Sequence, residues 1–173
     1  TTALDATKLT GNLPAIDGSS LTGIASVAGD NAFALSGTAN VSITSATDTK
    51  VTYNNEIFDV GGNVTSSTFT VPTGGAGKYL FNFHLGTYSN SNNISQIGMR
   101  FRKNGTAITT DLAYAVAATI RHLSSSHTVL LDLADGDYIE TYCSLTGTSP
   151  FITFAFGTAT YDGTWFSGCK ISD

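Results

Sequence analysis

No stretch of about eighteen consecutive apolar residues occurs in the chain, so no segment can cross a bilayer as a helix, and membrane insertion is not expected. Charge is scarce as well: 12% of the residues are Asp, Glu, Lys or Arg, and the net charge is −5. A nucleic-acid partner would call for a basic patch. The densest basic run here is "RFRK", Arg100 to Lys103, which leads into a turn and would be split between two faces of a strand. No nucleic-acid partner is expected. Two cysteines, Cys143 and Cys169, are too few for a disulfide framework. Each falls in a predicted strand, where two free buried thiols are the simpler reading and a bridge between neighbouring strands is the alternative. Methionine is confined to Met99 and the chain opens on Thr1, so the expectation is a fragment of something longer or a processed chain.

Catalytic patterns are missing too. There is no G-x-S-x-G elbow and no Cys–His pair close in sequence. His84, His122 and His127 follow neither H-x-x-x-H nor H-x-H spacing, so ordinary surface or hydrogen-bonded histidines are expected. The "TGGAG" cluster lacks the Lys-Ser/Thr of a phosphate loop and precedes a strand, which makes it a turn. Asp132, Asp135 and Asp137 in "LDLADGD" could suggest calcium, but a full ligand loop needs a distal Glu and Glu140 comes too early. A structural turn is the reading, with calcium left open. No catalytic residue, metal ligand or cofactor is assigned, and the chain is read as not an enzyme. The N-x-S/T sequons at Asn40, Asn63, Asn93 and Asn104 are about what so much Asn, Ser and Thr produces by chance, and they carry no argument.

What the chain has in abundance is Thr (27), Ser (18), Gly (18) and Asn (11), with seventeen Phe or Tyr and 41% hydrophobic residues. That much apolar side chain argues against disorder. Thr suits half-buried pleated surfaces, while Gly and Asn suit tight turns. From Asn31 onward the apolar period is mostly two. "GKYLFNFHL" puts Tyr79, Phe81, Phe83 and Leu85 on one face and Leu80, Asn82 and His84 on the other. "DYIETYCSL" sets Ile139, Cys143 and Leu145 against Tyr138, Glu140 and Tyr142, and "FITFAFGTATY" sets Ile152, Phe154 and Phe156 on one side. Asn104-Gly105 is a hairpin signal, since both residues accept positive φ. "DLAYAVAATIRHL" carries Leu112, Tyr114, Val116 and Ile120 at period two, but also helical spacing and helix-favouring alanines. It is read as a strand because its surroundings are β. Eight to ten strands with short turns point to an all-β sandwich or jelly roll.

Residues 1–30 behave differently. A shift of twelve maps Asp5 onto Asp17, Leu9 onto Leu21, Thr10 onto Thr22 and Gly11 onto Gly23, with Leu4 on Ile16 and Thr7 on Ser19. Two copies cannot bury an apolar face alone, so the missing neighbours come from upstream sequence or from other copies of the chain. A flexible linker with chance repetition is the alternative.

From Asn31 to the C-terminus the chain resembles the C1q/TNF-like family, in a consistent order. "NAFAL" looks like that family's opening strand. "KVTYNNEIFDVGGNVTSSTFTVP" is similar to the segment leading to its central strand. "GKYLFNF" matches Gly-x-Tyr-x-Phe-x-Phe, "RKNG" the hairpin after the next strand, "VLLDLADGDYIE" the Leu-x-x-Gly-Asp stretch, and "FSGCKI" the closing Phe-x-Gly strand. Two features depart from the pattern. Phe69 and Gly77 are separated by seven residues where five are usual, which implies a longer turn, and Val64 stands where an aromatic is usual. The repeats, in turn, resemble those preceding the tips of bacteriophage tail fibres. Together the resemblances imply a fibre-shaft-like segment at 1–30 and a C1q-like jelly-roll head at 31–173, associated as a homotrimer. Leu4, Leu9, Leu13, Ile16, Leu21 and Ile24 would be buried between chains of an upstream shaft. Some heads of this kind carry calcium near the trimer axis.

The function implied is recognition at the tip of a virion fibre, with a host-surface glycan or protein as partner. The expected receptor contacts are Tyr88, Asn90, Asn92 and Asn93 in the polar loop "TYSNSNNIS", together with Trp165, the single tryptophan. Aromatic rings can stack on a glycan while amides bond its hydroxyls. Against this stands the reading in which Tyr88 and Trp165 fill the core or the trimer interface and the Asn loop is a solvated turn. The rival functions are a structural trimerisation head that binds no receptor, a bacterial C1q-like surface adhesin and, more distantly, a capsule depolymerase.

Overall fold

The structure, a computed structural model, describes residues 31–91, 93–115, 120–154 and 163–173. The repeat segment 1–30, Asn92, Val116 and Phe156 lie outside the described residues. In chain order the strands are β1 (Ala32–Ser36), β2 (Val41–Ser42), β3 (Thr49–Lys50), β4 (Asn55–Asp59), β5 (Val64–Thr65), β6 (Thr68–Thr70) and β7 (Gly77–Ser89). They continue as β8 (Gln96–Lys103), β9 (Thr106–Ala107), β10 (Asp111–Tyr114), β11 (His122–Leu133), β12 (Tyr138–Thr146), β13 (Pro150–Thr153) and β14 (Trp165–Ser172). Four of these fourteen, β2, β3, β5 and β9, are two-residue pairings, which leaves ten longer strands.

The protein is an all-β sandwich of two antiparallel sheets. In the first sheet β7 is central: β11 runs along one flank, from His122 opposite Tyr88 to Leu133 opposite Gly77. The other flank takes β14, with Trp165 opposite His84, and then β13, with Phe151 opposite Tyr88. β1 and β4 follow β14 outward, and β2 follows β13. The second sheet runs β10-β8-β12-β6-β5, with β9 on β8 and β3 on β12.

Period-two patterning decides which side chains meet between the sheets. Tyr79, Phe81, Phe83 and Leu85 from β7 are fully buried, as are Ile97, Met99 and Phe101 from β8 and Ile139, Cys143 and Leu145 from β12. Phe101 bridges the layers, with ring centroids 6.4 Å from Phe81 and 6.2 Å from Phe83. Phe33 packs at 5.1 Å on Phe69 and 4.8 Å on Phe166. Such ring pairs add roughly 0.5–1.5 kcal/mol each beyond the burial of their area. Glycine is required where this cluster meets β14: a Cβ on Gly168 would lie 2.5 Å from the Phe81 ring and 2.8 Å from that of Phe33.

The turns explain both departures in the resemblance. Val64 pairs with Phe69 and packs against the core, in the place of the usual aromatic. The long turn before Gly77 is held from outside: Asp135 accepts hydrogen bonds from the Gly74 amide (2.7 Å) and the Ala76 amide (2.8 Å), and the buried Tyr79 hydroxyl donates to the Gly75 carbonyl (2.7 Å). Asn104 and Gly105 form the two-residue turn between β8 and β9 at φ 52° and 78°, as their sequence indicated. The Asp111–Tyr114 segment is a strand, but the face carrying Leu112 and Tyr114 is the outer one, and it is Ala113 that packs on the core.

Candidate functional site

Because Tyr79, Phe81, Phe83 and Leu85 point inward, the alternate residues of β7 point out, and pairing lines them up in rows across the first sheet. One row runs Leu130, Leu80, Cys169, Ala32. The next runs Thr128, Asn82, Ser167, Ala34 and Phe58, and a third runs Ser126, His84, Trp165. None of these three rows contains a charged side chain. Among the described residues charge returns beyond the rows, where Asp132 stands opposite Lys78 at one end and Arg121 lies against Tyr88 at the other.

Several of these side chains are exposed although they are large and apolar: Leu80 by 41%, Phe58 by 45% and Leu130 by 56%. Leu80, Phe58, Ala32 and Cys169 line a shallow cleft of about 230 Å³ on this face. The polar members are tied to one another. Asn82 Nδ2 donates to Thr128 Oγ1 at 2.6 Å, and its Oδ1 is buried without a hydrogen-bond partner. His84 Nδ1 shares a hydrogen bond of 2.7 Å with Ser126 Oγ, and its ring stacks on Trp165 at 6.1 Å and 21°. Burial lowers the pKa of His84 from its ordinary value.

Tyr88 belongs to the same face, near the end of β7. Its ring lies between His122 at 4.7 Å and Phe151 at 6.2 Å, and the Arg121 guanidinium sits 5.0 Å from its centre and donates to its hydroxyl. Trp165 is paired with His84, four residues back along the strand and so about 13 Å away. The two aromatics therefore share a face but do not form one pocket. Asn90 is exposed in the turn that follows β7. Asn93 is occupied by its own loop: its Oδ1 accepts from the Thr148 amide (2.9 Å) and the Ser89 hydroxyl (3.1 Å), and its Nδ2 donates to Thr148 Oγ1 (2.7 Å). The uncharged rows were not read from the sequence as a site. The available signal was Leu80 and Leu130, two leucines at positions that alternate with buried or half-buried ones.

No family model matches the chain, and no curated protein does either. Solved structures do. The globular domain of zebrafish complement 1qA protein superposes with a TM-score of 0.55 at 15% identity, covering 80% of this chain and 94% of that one. Murine APRIL crystallised at pH 5.0 superposes with a TM-score of 0.58 at 13% identity, covering 82% and 98%. The same protein at pH 8.0 gives 0.57 at 14% identity, with the same coverage. The fold is the C1q/TNF jelly roll.

Within this fold the acidic run is a structural turn. Asp137 is paired with Lys103 at 2.7 Å and accepts from Asn104 Nδ2 (2.7 Å) and the Ala134 amide (2.8 Å). The hydrogen bonds from Lys103 and Asn104 hold its pKa down to about 2. Among the described residues no three His, Cys, Asp or Glu side chains gather as a metal site. Cys143 and Cys169 are free thiols on different sheets of the sandwich. Burial pushes the Cys143 thiol up to about 12, which leaves it inert as a nucleophile.

Proposed function

We propose that this head associates as a homotrimer through the outer face of its first sheet and caps a virion fibre of the bacteriophage tail-fibre kind, where it recognises a host-surface glycan or protein. The observation that carries the association is the uncharged set of rows across β11, β7, β14 and β1, with Leu80, Leu130 and Phe58 left about half in water. Burying the remainder of each contributes about 1 kcal/mol. A closed three-fold arrangement covers such a face completely and leaves no growing end. The fibre setting rests on the twelve-residue repeats upstream. Attachment by a trimer gains avidity over a single head by about 10²–10⁴-fold where the geometry allows. No chemical step is involved.

This arrangement divides the expected receptor contacts. Trp165 stands inside the face that association covers, whereas Tyr88 and Asn90, toward its end, stay at the rim and remain candidates for receptor contact. That placement of Trp165 also favours a second reading, a trimerisation head that sets the register of a fibre and binds nothing itself.

The test is solution mass by light scattering on a sizing column, at several dilutions. The expected result is a mass near three times 18.0 kDa that persists on dilution. A stable monomer removes the fibre reading. If the trimer forms, competition of the isolated head with particle adsorption to cells separates a recognition head from a purely structural one.

A further inference from the structure

A second concavity lies away from the association face, at the side of the sandwich where the edge strands β4 and β5 approach each other. It measures about 210 Å³ and is lined by Leu35, Tyr53, Asn54, Glu56, Ser66 and Ser67, with Val64 completing the wall. We infer that this cleft is a binding site for a single neutral sugar ring. The inference deepens the recognition reading by giving it a second, independent contact point.

Three features support it. The first is the turn at Ser66-Ser67, between β5 and β6. Both residues adopt left-handed φ, 51° and 62°, a region in which glycine or asparagine is at ease and serine is not. The chain builds the same kind of turn from Asn104-Gly105 at the other hairpin, which does not line this cleft. Two consecutive serines in this conformation put hydroxyls where an Asn-Gly turn would have none, and backbone outliers of this kind tend to collect at ligand sites.

The second feature is how the turn and wall are locked. Ser67 is buried, and its Oγ accepts from the Tyr53 amide at 2.8 Å. The Tyr53 hydroxyl is anchored to Thr141 Oγ1 at 2.9 Å, and its ring is braced by Phe154 at 5.8 Å and Phe166 at 6.1 Å. Asn54 is fixed by Thr38, accepting from its amide (2.9 Å) and donating to its hydroxyl (3.0 Å). One amide hydrogen and one lone pair of Asn54 remain open. The cleft therefore exists before any ligand arrives.

The third is the inventory of groups left over. Among the described residues the Glu56 carboxylate makes no ion pair and no hydrogen bond, and neither does the Ser66 hydroxyl. A lone carboxylate accepting from adjacent ring hydroxyls, hydroxyl and amide groups beside it, and an apolar wall for the C–H face match a polyol ring. The only charge lining the cleft is negative, which disfavours anionic sugars. A single carboxylate is too few for a cation site.

The probes are the methyl glycosides of glucose, galactose, mannose and N-acetylglucosamine, each titrated at millimolar concentration into the ¹⁵N-labelled full chain. The expected result is amide shifts confined to Tyr53, Asn54, Glu56, Ser66 and Ser67 with at least one glycoside. Loss of a charge-assisted hydrogen bond in Glu56→Gln should weaken that binding about tenfold or more. Ser66→Ala, at an exposed position, gives a second variant that should also weaken it. Silence at the cleft with all four glycosides, equal binding by both variants, or a response only to methylammonium would overturn the inference. Adsorption to cells is measured in parallel: if it persists while the cleft is silent, recognition stands and the cleft is not its site. Glycoside binding without adsorption would mean the reverse.

Discussion

The outer faces of the two sheets are built on different principles. On the second sheet Arg100 and Arg102 both bind Asp48, at 2.8 and 2.5 Å, and the Arg102 guanidinium lies 3.9 Å from the centre of the Tyr142 ring. Beside them Lys50 pairs with Glu140 at 2.8 Å and also donates to Thr68. Only toward β10, at Leu112 and Tyr114, does that face turn apolar. The first sheet shows rows of Leu, Ala, Cys, Thr, Ser, Asn, His and Trp with no ion pair among them. Charges paired in water contribute little to stability, about 0–1 kcal/mol each, but they make a surface costly to bury. Their absence is therefore the more informative feature. It marks the face on which contact costs least, since no ion has to be desolvated.

The contrast can be broken most directly by placing a charge among the uncharged rows. Leu80→Asp should cost association about 3 kcal/mol or more, over a hundredfold, and scattering should then report a monomer whose circular dichroism is unchanged. A trimer that survives this substitution would show that the face is not the interface.

Next comes acid. The outward neighbours of His84 are Ser126 on β11 and Trp165 on β14, and among the described residues the ionisable groups on the same face are Lys78, Tyr88, Arg121, His122, Asp132 and Cys169, none of them in its row. Its pKa is lowered by burial, so the contribution of the neutral ring is fully present above about 6.5 and is lost as pH falls through the lowered value. In the proposed trimer the same ring is covered further, so charging it opposes association as well; mass measured down a pH series should show the trimer loosening in mild acid, and His84→Gln should flatten that response.

Asp137 titrates in a separate window. Its stabilisation is present above its ordinary value of 3.8 and disappears as pH falls through about 2. Acid unfolding followed by near-ultraviolet circular dichroism should thus come well after dissociation, and Asp137→Asn should reduce the dependence in that lower window. The smallest effect belongs to the second sheet. Asp48→Asn should change the unfolding free energy read from denaturant curves by less than about 1 kcal/mol and leave the trimer mass as it was.

The legible parts of the chain were those where one physical constraint acted alone. Tyr79, Phe81 and Phe83 are buried on one face and flanked by exposed or half-exposed residues, so period two is plain. Asn104-Gly105 states its turn because positive φ is the preference of both residues. The first half of β11 was not legible. From His122 to His127 hydroxyls and imidazoles occupy both faces, because an edge strand is only half covered and its inward positions need not be apolar. Ser66-Ser67 was hidden for a related reason: serine has no preference for the conformation it is made to adopt there. Among the candidate contacts, the sequence could nominate Tyr88, Asn90, Asn93 and Trp165 by type, but it could not tell that the Asn93 amide would be used up on Thr148 and Ser89. The third member of the loop, Asn92, falls outside the described residues, and so does the repeat segment 1–30.

The Asn104-Gly105 turn has a bearing on how the protein ages. Asparagine before glycine is the pair that most readily cyclises to a succinimide, because the glycine nitrogen is unhindered when it attacks the side-chain amide. Here that amide is held at both ends: Nδ2 donates to Asp137 at 2.7 Å, and Oδ1 accepts from the Tyr138 amide at 2.9 Å. Ring closure has to wait until the hairpin lets go. The slow appearance of a one-dalton mass gain at this position is therefore a clock for local opening of the β8–β9 hairpin, running far behind the same dipeptide in an unstructured peptide.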